Sequence, residues 1–289
     1  MLLNEGCVAC LLRRKLDNYP AGAEPGAVAE YRRRVRSVIE NGRGFSSPEV
    51  NADISAIYRE LFGPERDYSD VKRRFNALML ELEPSLQADV DAAEDPLARA
   101  VQYAMVGNYI DFAALGDVDE GELRRKLGAV DAMTVDPAVL AALRGAAASA
   151  GGLTLFTDNG GEIVTDKVLL RTLRRLNPAL RVTVIVRGVP VVDDATVEDA
   201  EQVGMDEVAQ RVIGNGCDLP GAVLTRLGPE ALAEVDAADL IISKGQANYE
   251  GLSGCGRNIF YIFMCKCELF INRFNVPQFS GVLTREEKA

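Results

Sequence analysis

The chain has 289 residues, 48% apolar and 26% charged, which suits an ordinary globular protein with a large core in one domain or two unequal ones. A net charge of −11 argues against a nucleic-acid partner, and the longest apolar run, Ile259 to Met264, is far too short to cross a bilayer. There is no histidine, so Ser-His and Cys-His pairs, imidazole metal ligands and phosphohistidine are excluded; acid–base work falls to Asp, Glu, Lys, Tyr or a metal-bound water.

The first ten residues turn polar too soon for a secretory signal, so the expected location is cytoplasmic. Cys7 and Cys10 open the chain as a Cys-x-x-Cys pair. Residues 26 to 150 read as helices. Apolar residues three and four apart mark Ala27 to Ile39, Pro48 to Phe62 and Ser69 to Leu82. Asp95-Pro96 starts a helix expected to run to about Leu115, with Asn108 and Asp111 three apart on one side of it. Another helix runs from about Pro137 to Ser149 and ends at Gly151-Gly152.

From Leu153 the pattern becomes strand–helix alternation. Strands are expected at Leu153 to Phe156, Arg181 to Arg187, Asp239 to Ser243 and Ile259 to Met264, with a short one at Gln210 to Ile213. Helices are expected at Glu162 to Arg175, Ala195 to Val203, Pro220 to Leu227 and Pro229 to Val235. The expected architecture is an α/β, Rossmann-like, mostly parallel sheet over residues 151–289, preceded by an all-helical bundle over 1–150. The strand ends carry Asp158-Asn159, Asp193-Asp194 and Lys244-Gly245, and a parallel sheet delivers such loops to one edge.

Asp158, Asn159 and Asp194 offer hard oxygen ligands for a divalent metal; the same residues also suit an Asx turn and a helix cap. Lys244 reads either as a cation for a phosphoryl oxygen or as a solvated strand-end lysine. The loop Gly214 to Gly221 leads into a predicted helix and reads as an anion cradle or a plain connection; it lacks the endings of the nucleotide-binding glycine motifs. Cys265-x-Cys267 with Cys7 and Cys10 reads either as a structural Zn²⁺ knot or as buried thiols.

Together these stretches resemble the damage-control phosphatase family, the domain of unknown function 89, in its branch with an N-terminal Cys-x-x-Cys. The resemblance rests on Cys7-Val-Ala-Cys10, Asp95-Pro-Leu97, Gly107-Asn-Tyr-Ile-Asp-Phe112, Asp158-Asn-Gly-Gly-Glu162 with Asp166, and Asp193-Asp-Ala-Thr-Val-Glu-Asp199. Cys217-Asp-Leu-Pro-Gly221, Lys244-Gly-Gln-Ala-Asn-Tyr249 and Lys266-Cys267 complete it. It implies a phosphatase for small phosphorylated metabolites, such as sugar phosphates or damaged cofactor intermediates, using Mn²⁺, Mg²⁺, Co²⁺ or Ni²⁺ on Asp158, Asn159 and Asp194. Lys244 would face the phosphate. Asn108, Asp111, Glu162, Asp193, Gly245 and Asn248 would line the substrate site, with Asp193 or Glu162 orienting water. Asp193 and Glu250 depart from the usual pattern, which has Asn and a basic residue there. Two other classes stay open: an S-adenosylmethionine-dependent carboxyl methyltransferase and a non-catalytic metal-dependent binding module. The sequence carries no signal for oligomeric state.

Overall fold

The computed structural model describes residues 1–287. The helical half contains α1 (Glu5–Lys15), α2 (Pro25–Asn41), α3 (Ser47–Phe62), α4 (Ser69–Ala92), α5 (Pro96–Gly107), α6 (Phe112–Leu115), α7 (Glu120–Gly128) and α8 (Pro137–Ser149). There follow β1 (Gly152–Phe156), α9 (Ile163–Leu176), β2 (Arg181–Val186), α10 (Val197–Gln202), β3 (Arg211–Gly214), α11 (Pro229–Ala237) and β4 (Leu240–Lys244). The chain closes with α12 (Gln246–Leu252), β5 (Ile259–Met264), α13 (Glu268–Phe274) and β6 (Gly281–Glu286). Local chemistry sets the boundaries. Asp95 accepts from the amides of Leu97 and Ala98 ahead of Pro96, and Ser46 with Glu49 closes a capping box on α3.

The six strands form one sheet in the order β3-β2-β1-β4-β5-β6, parallel except for β6. The strand order reverses between β1 and β4, where such folds open a crevice at the carboxyl edge. The four inner strands, β2, β1, β4 and β5, are buried on both faces, while the edge strands β3 and β6 are partly exposed. Leu155, Val184, Ile242 and Ile262 share one core with Met79 of α4, Ala104 of α5, Leu143 of α8 and Leu169 of α9. Phe156, Ile185, Ile241 and Tyr261 face Val235 of α11, Tyr249 of α12 and Phe270 of α13.

The boundary expected at residue 150 divides the secondary structure but not the core, because α5 and α8 pack directly on the sheet and α4 packs on α5 and α9. Helices α1 to α3 do have a small core of their own, with Tyr31, Val35, Ile39 and Ile54. Three other expectations change. The helix from Leu97 stops at Gly107, so Asn108 and Asp111 sit in a connecting turn rather than on a helix face. Pro220 to Leu227 forms only a 3₁₀ turn at Leu224–Arg226, since Gly221 holds φ +128° against the Ala247 carbonyl. The antiparallel edge strand β6 was not expected.

Candidate active site

β1 ends at Phe156 and the chain turns through Thr157, Asp158 and Asn159 into two glycines. Gly160 N–H donates to the Asp193 carbonyl, and Ala195 N–H donates to the Asp158 carbonyl. The resulting antiparallel bridge between Asn159 and Asp194 brings the two acidic loops together. Asp158, Asn159 and Asp194 are 6%, 3% and 5% exposed. The third loop arrives at Gly245, which holds φ +82°. A Cβ there would lie 2.0 Å from Asp158 Oδ2, so only glycine lets the β4–α12 turn approach the carboxylate.

The Asn108 amide bonds the helical layer to this edge. Its Nδ2 donates to Asp158 Oδ2 at 2.9 Å and Glu162 Oε2 at 2.8 Å, and its Oδ1 accepts from Met264 N–H at 2.9 Å. Asn159 Nδ2 also donates to Asp158 Oδ2 and Glu162 Oε2. Asn248 donates to the carbonyls of Thr157 and Lys244 and accepts from Arg187. The residues expected at the site are therefore brought together, from four separated stretches of chain.

Two of them do different work from that expected. Lys244 is wholly enclosed, and its ammonium donates to Glu162 at 2.7 Å, Asp166 at 2.6 Å and the Ala104 carbonyl at 3.0 Å. Strand alternation turns it toward α5 and α9, so it is neither solvated nor free to meet a phosphate. Burial alone would lower its pKa, but Asp166 and Glu162 outweigh that and raise it. Asp193 accepts from the amides of Phe112 and Ala113, bracing the turn that begins α6.

Two cations were missed as site residues. Lys266 lies two residues beyond β5 and meets Asp111 Oδ2 at 2.6 Å, with its side chain 7% exposed. Burial works against its charge, and Asp111, Asp158 and Glu162 together raise its pKa. Arg187 ends β2, is fully buried and donates through Nε to Asp194 Oδ2 at 2.5 Å. Its only sequence signal is a charge closing a β-branched apolar run.

The carboxyls are crowded. Burial pushes Asp158 well up, helped by Glu162 and Asp194. Asp194 is raised by burial against the opposing pull of Arg187. Asp166 and Asp193 are each pushed up to about 7, by burial first. Such packing calls for positive charge, and two carboxylates with an amide supply the hard oxygen donors a divalent metal takes. Asp158 and Asp194 fit that role directly. Asn159 fits once its amide turns over to present Oδ1.

The cysteines form no disulfide. Cys7 lies in the surroundings of Cys10 and Cys267, whereas Cys265 is enclosed in the sheet core. Among the described residues no group of three or more Cys, Asp or Glu side chains is arranged as a ready metal cage. The four thiols expected at a Zn²⁺ knot are thus not gathered into one, because Cys265 belongs to the sheet core.

Residues 3–282 match the family described as the damage-control phosphatase ARMT1-like domain. A protein named damage-control phosphatase from Archaeoglobus fulgidus is 34% identical over 232 residues, covering 78% of each chain. Another so named, from Pyrococcus horikoshii, is 30% identical over 65% of this chain and 64% of its own. The crystal structure of a DUF89 family protein from Pyrococcus horikoshii, 22% identical, shares the fold with a TM-score of 0.80 over 99% of this chain and 100% of its own. This chain belongs to the ARMT1-like damage-control phosphatase family.

Proposed function

We propose that the chain hydrolyses phosphate monoesters of small metabolites, including damaged ones, with Mg²⁺, Mn²⁺, Co²⁺ or Ni²⁺ held by Asp158, Asn159 and Asp194. The observation that carries this is the pairing of two buried carboxylates from separate loops, flanked by buried Arg187 and Lys266, at the carboxyl edge of a parallel sheet. A bound divalent cation would supply Lewis-acid polarisation of the phosphoryl group.

The chain's own residues do the rest. Lys266 has one carboxylate partner, so it keeps protons to place on phosphoryl oxygens. Asn108 and Glu162 fix the orientation of Asp158 and Asn159. Lys244 neutralises Glu162 and Asp166 from behind, holding that orientation without touching substrate. Neither Asp193 nor Glu162 is free to orient water, since both are committed to protein donors.

The test is phosphate release from an aryl phosphate with and without each divalent metal, in the wild type and in Asp194→Asn. The wild type is expected to need metal, and the variant to lose roughly 10²–10³-fold in kcat/KM, the scale of one electrostatic group. Metal-independent turnover, or a variant as active as the parent, would refute the reading. Methyl transfer without phosphate release would favour the carboxyl methyltransferase class instead.

A further inference from the structure

Among the described residues four buried side-chain atoms lack a hydrogen-bond partner: Asp166 Oδ2, Arg187 Nη1, Asn215 Nδ2 and Ser243 Oγ. Two of these, Arg187 Nη1 and Asn215 Nδ2, are pure donors from neighbouring strand ends. Val186 of β2 pairs with Gly214 of β3, and the next residues are Arg187 and Asn215. Asn215 Oδ1 accepts from Gly188 N–H at 3.0 Å and from Cys217 N–H at 3.3 Å, which lays its amide against the Arg187–Gly188 peptide. Ile185 and Ile213 lie in one core cluster, so two-residue alternation puts Arg187 and Asn215 on that same face. Arg187 and Asn215 are 1% and 0% exposed.

Folded proteins rarely leave buried donors unsatisfied, least of all on a guanidinium. Nor is the geometry loose. Arg187 is fixed by Asp194 Oδ2 at 2.5 Å and Asn248 Oδ1 at 3.2 Å, and Asn215 by its two accepted bonds. The loop Gly214 to Gly221 has little freedom to rearrange around these donors. A Cβ on Gly214 would lie 2.7 Å from Gly188 Cα, and one on Gly216 2.7 Å from Gly228 Cα, so backbone packs on backbone there.

We propose that Arg187 and Asn215 form a second oxyanion subsite next to the metal ligands, so that the natural substrate carries a carboxylate or a second phosphate besides the phosphate that is cleaved. The proposal rests on the phosphatase reading above. Arg187 joins the two positions: one edge of its guanidinium holds Asp194 and Asn248, while Nη1 is left for the ligand. A planar donor fork suits an oxyanion, and the Asn215 amide adds a donor of fixed direction.

The discriminating variant is Asn215→Asp. It keeps the acceptor that Gly188 and Cys217 use and replaces the unpaired donor with a charged acceptor. At saturating metal, kcat/KM is compared for a hexose monophosphate, the matching bisphosphate and the matching phosphorylated sugar acid. The wild type should prefer one of the last two by about tenfold or more, and which one it prefers identifies the second group. Asn215→Asp should erase that preference through KM, and Arg187→Lys, which keeps the charge but loses the fork, should weaken it. Circular dichroism and Tm confirm that each variant is folded; where one is not, the other decides. Equal efficiency on all three substrates in the wild type, or an unchanged ratio in a folded variant, overturns the subsite and assigns the two donors to buried water. Should no phosphate ester be turned over, the phosphatase reading fails by itself. The subsite is then judged by calorimetry with malonate: weaker binding in Asn215→Asp supports it, and equal binding overturns it.

Discussion

Lys244 shows how far a residue's neighbours decide its task. It ends an apolar strand, which in sequence reads equally as a ligand cation or a solvated tip. The fold instead closes α5 and α9 over it and gives all three ammonium protons to protein acceptors. Among the described residues it is the one cation paired with the two enclosed carboxylates Glu162 and Asp166, and replacing it removes that pairing. Lys244→Met is therefore expected to cost about 3–5 kcal/mol of unfolding free energy, the usual result of stranding one side of a buried ion pair. Chemical denaturation of metal-free protein measures this. A fully stable variant with a large loss in kcat would return Lys244 to the phosphate. Asp158, Asn159 and Asp194 could be picked out as candidates because polar residues ending apolar strands mark the carboxyl edge of a parallel sheet. Arg187 and Asn215 were not, because what marks them is an absent partner, which only coordinates reveal.

At the level of elements, the turn between α5 and α6 was the hardest to read. Tyr109, Ile110 and Phe112 continue the apolar spacing, and no proline or glycine follows Gly107 to break it. The break is tertiary: Asn108 is drawn to Met264 and Asp158, and Asp111 caps α6. The edge strand β6 hid for a related reason, its last three residues being polar and held only by pairing with β5. Asp193 anchors the same turn from the β2–α10 loop, and Asp166 sits on α9; burial pushes the pKa of each up to about 7. Their unfolded value is 3.8, so between about pH 4 and 7 the folded protein binds more protons than the unfolded one. Stability contributed by these groups accordingly falls as pH rises through that window. The Tm of metal-free protein should drop from about pH 5.5 to pH 8, and Asp166→Asn with Asp193→Asn should flatten the profile. A wild-type Tm that holds steady or climbs over that range would contradict the assignment.

For the molecule as a whole, the alternation of strands and helices after residue 152 was plain in the sequence, because buried parallel strands advertise themselves as β-branched runs. The sharing of one core by α4, α5, α8 and the sheet was not, since amphipathic helices do not name what they cover. Helices α1 to α3 stand apart with their own core. They meet the rest of the chain through partly exposed pairs, such as Arg59 with Asp218 and Arg14 with the Ala113 carbonyl, and through one small buried patch. Pro48 of α3 lies against Gly221, and Ala52 of α3 packs with Leu219 and Val223. A unit with a core of its own can move against its neighbour as one piece. The proposed metal ligands are little exposed, so if such a swing gates access to them, solvent friction on it would set the pace of turnover: kcat should fall in proportion to medium viscosity as sucrose is added. A kcat indifferent to viscosity would place the slow step in the chemistry instead.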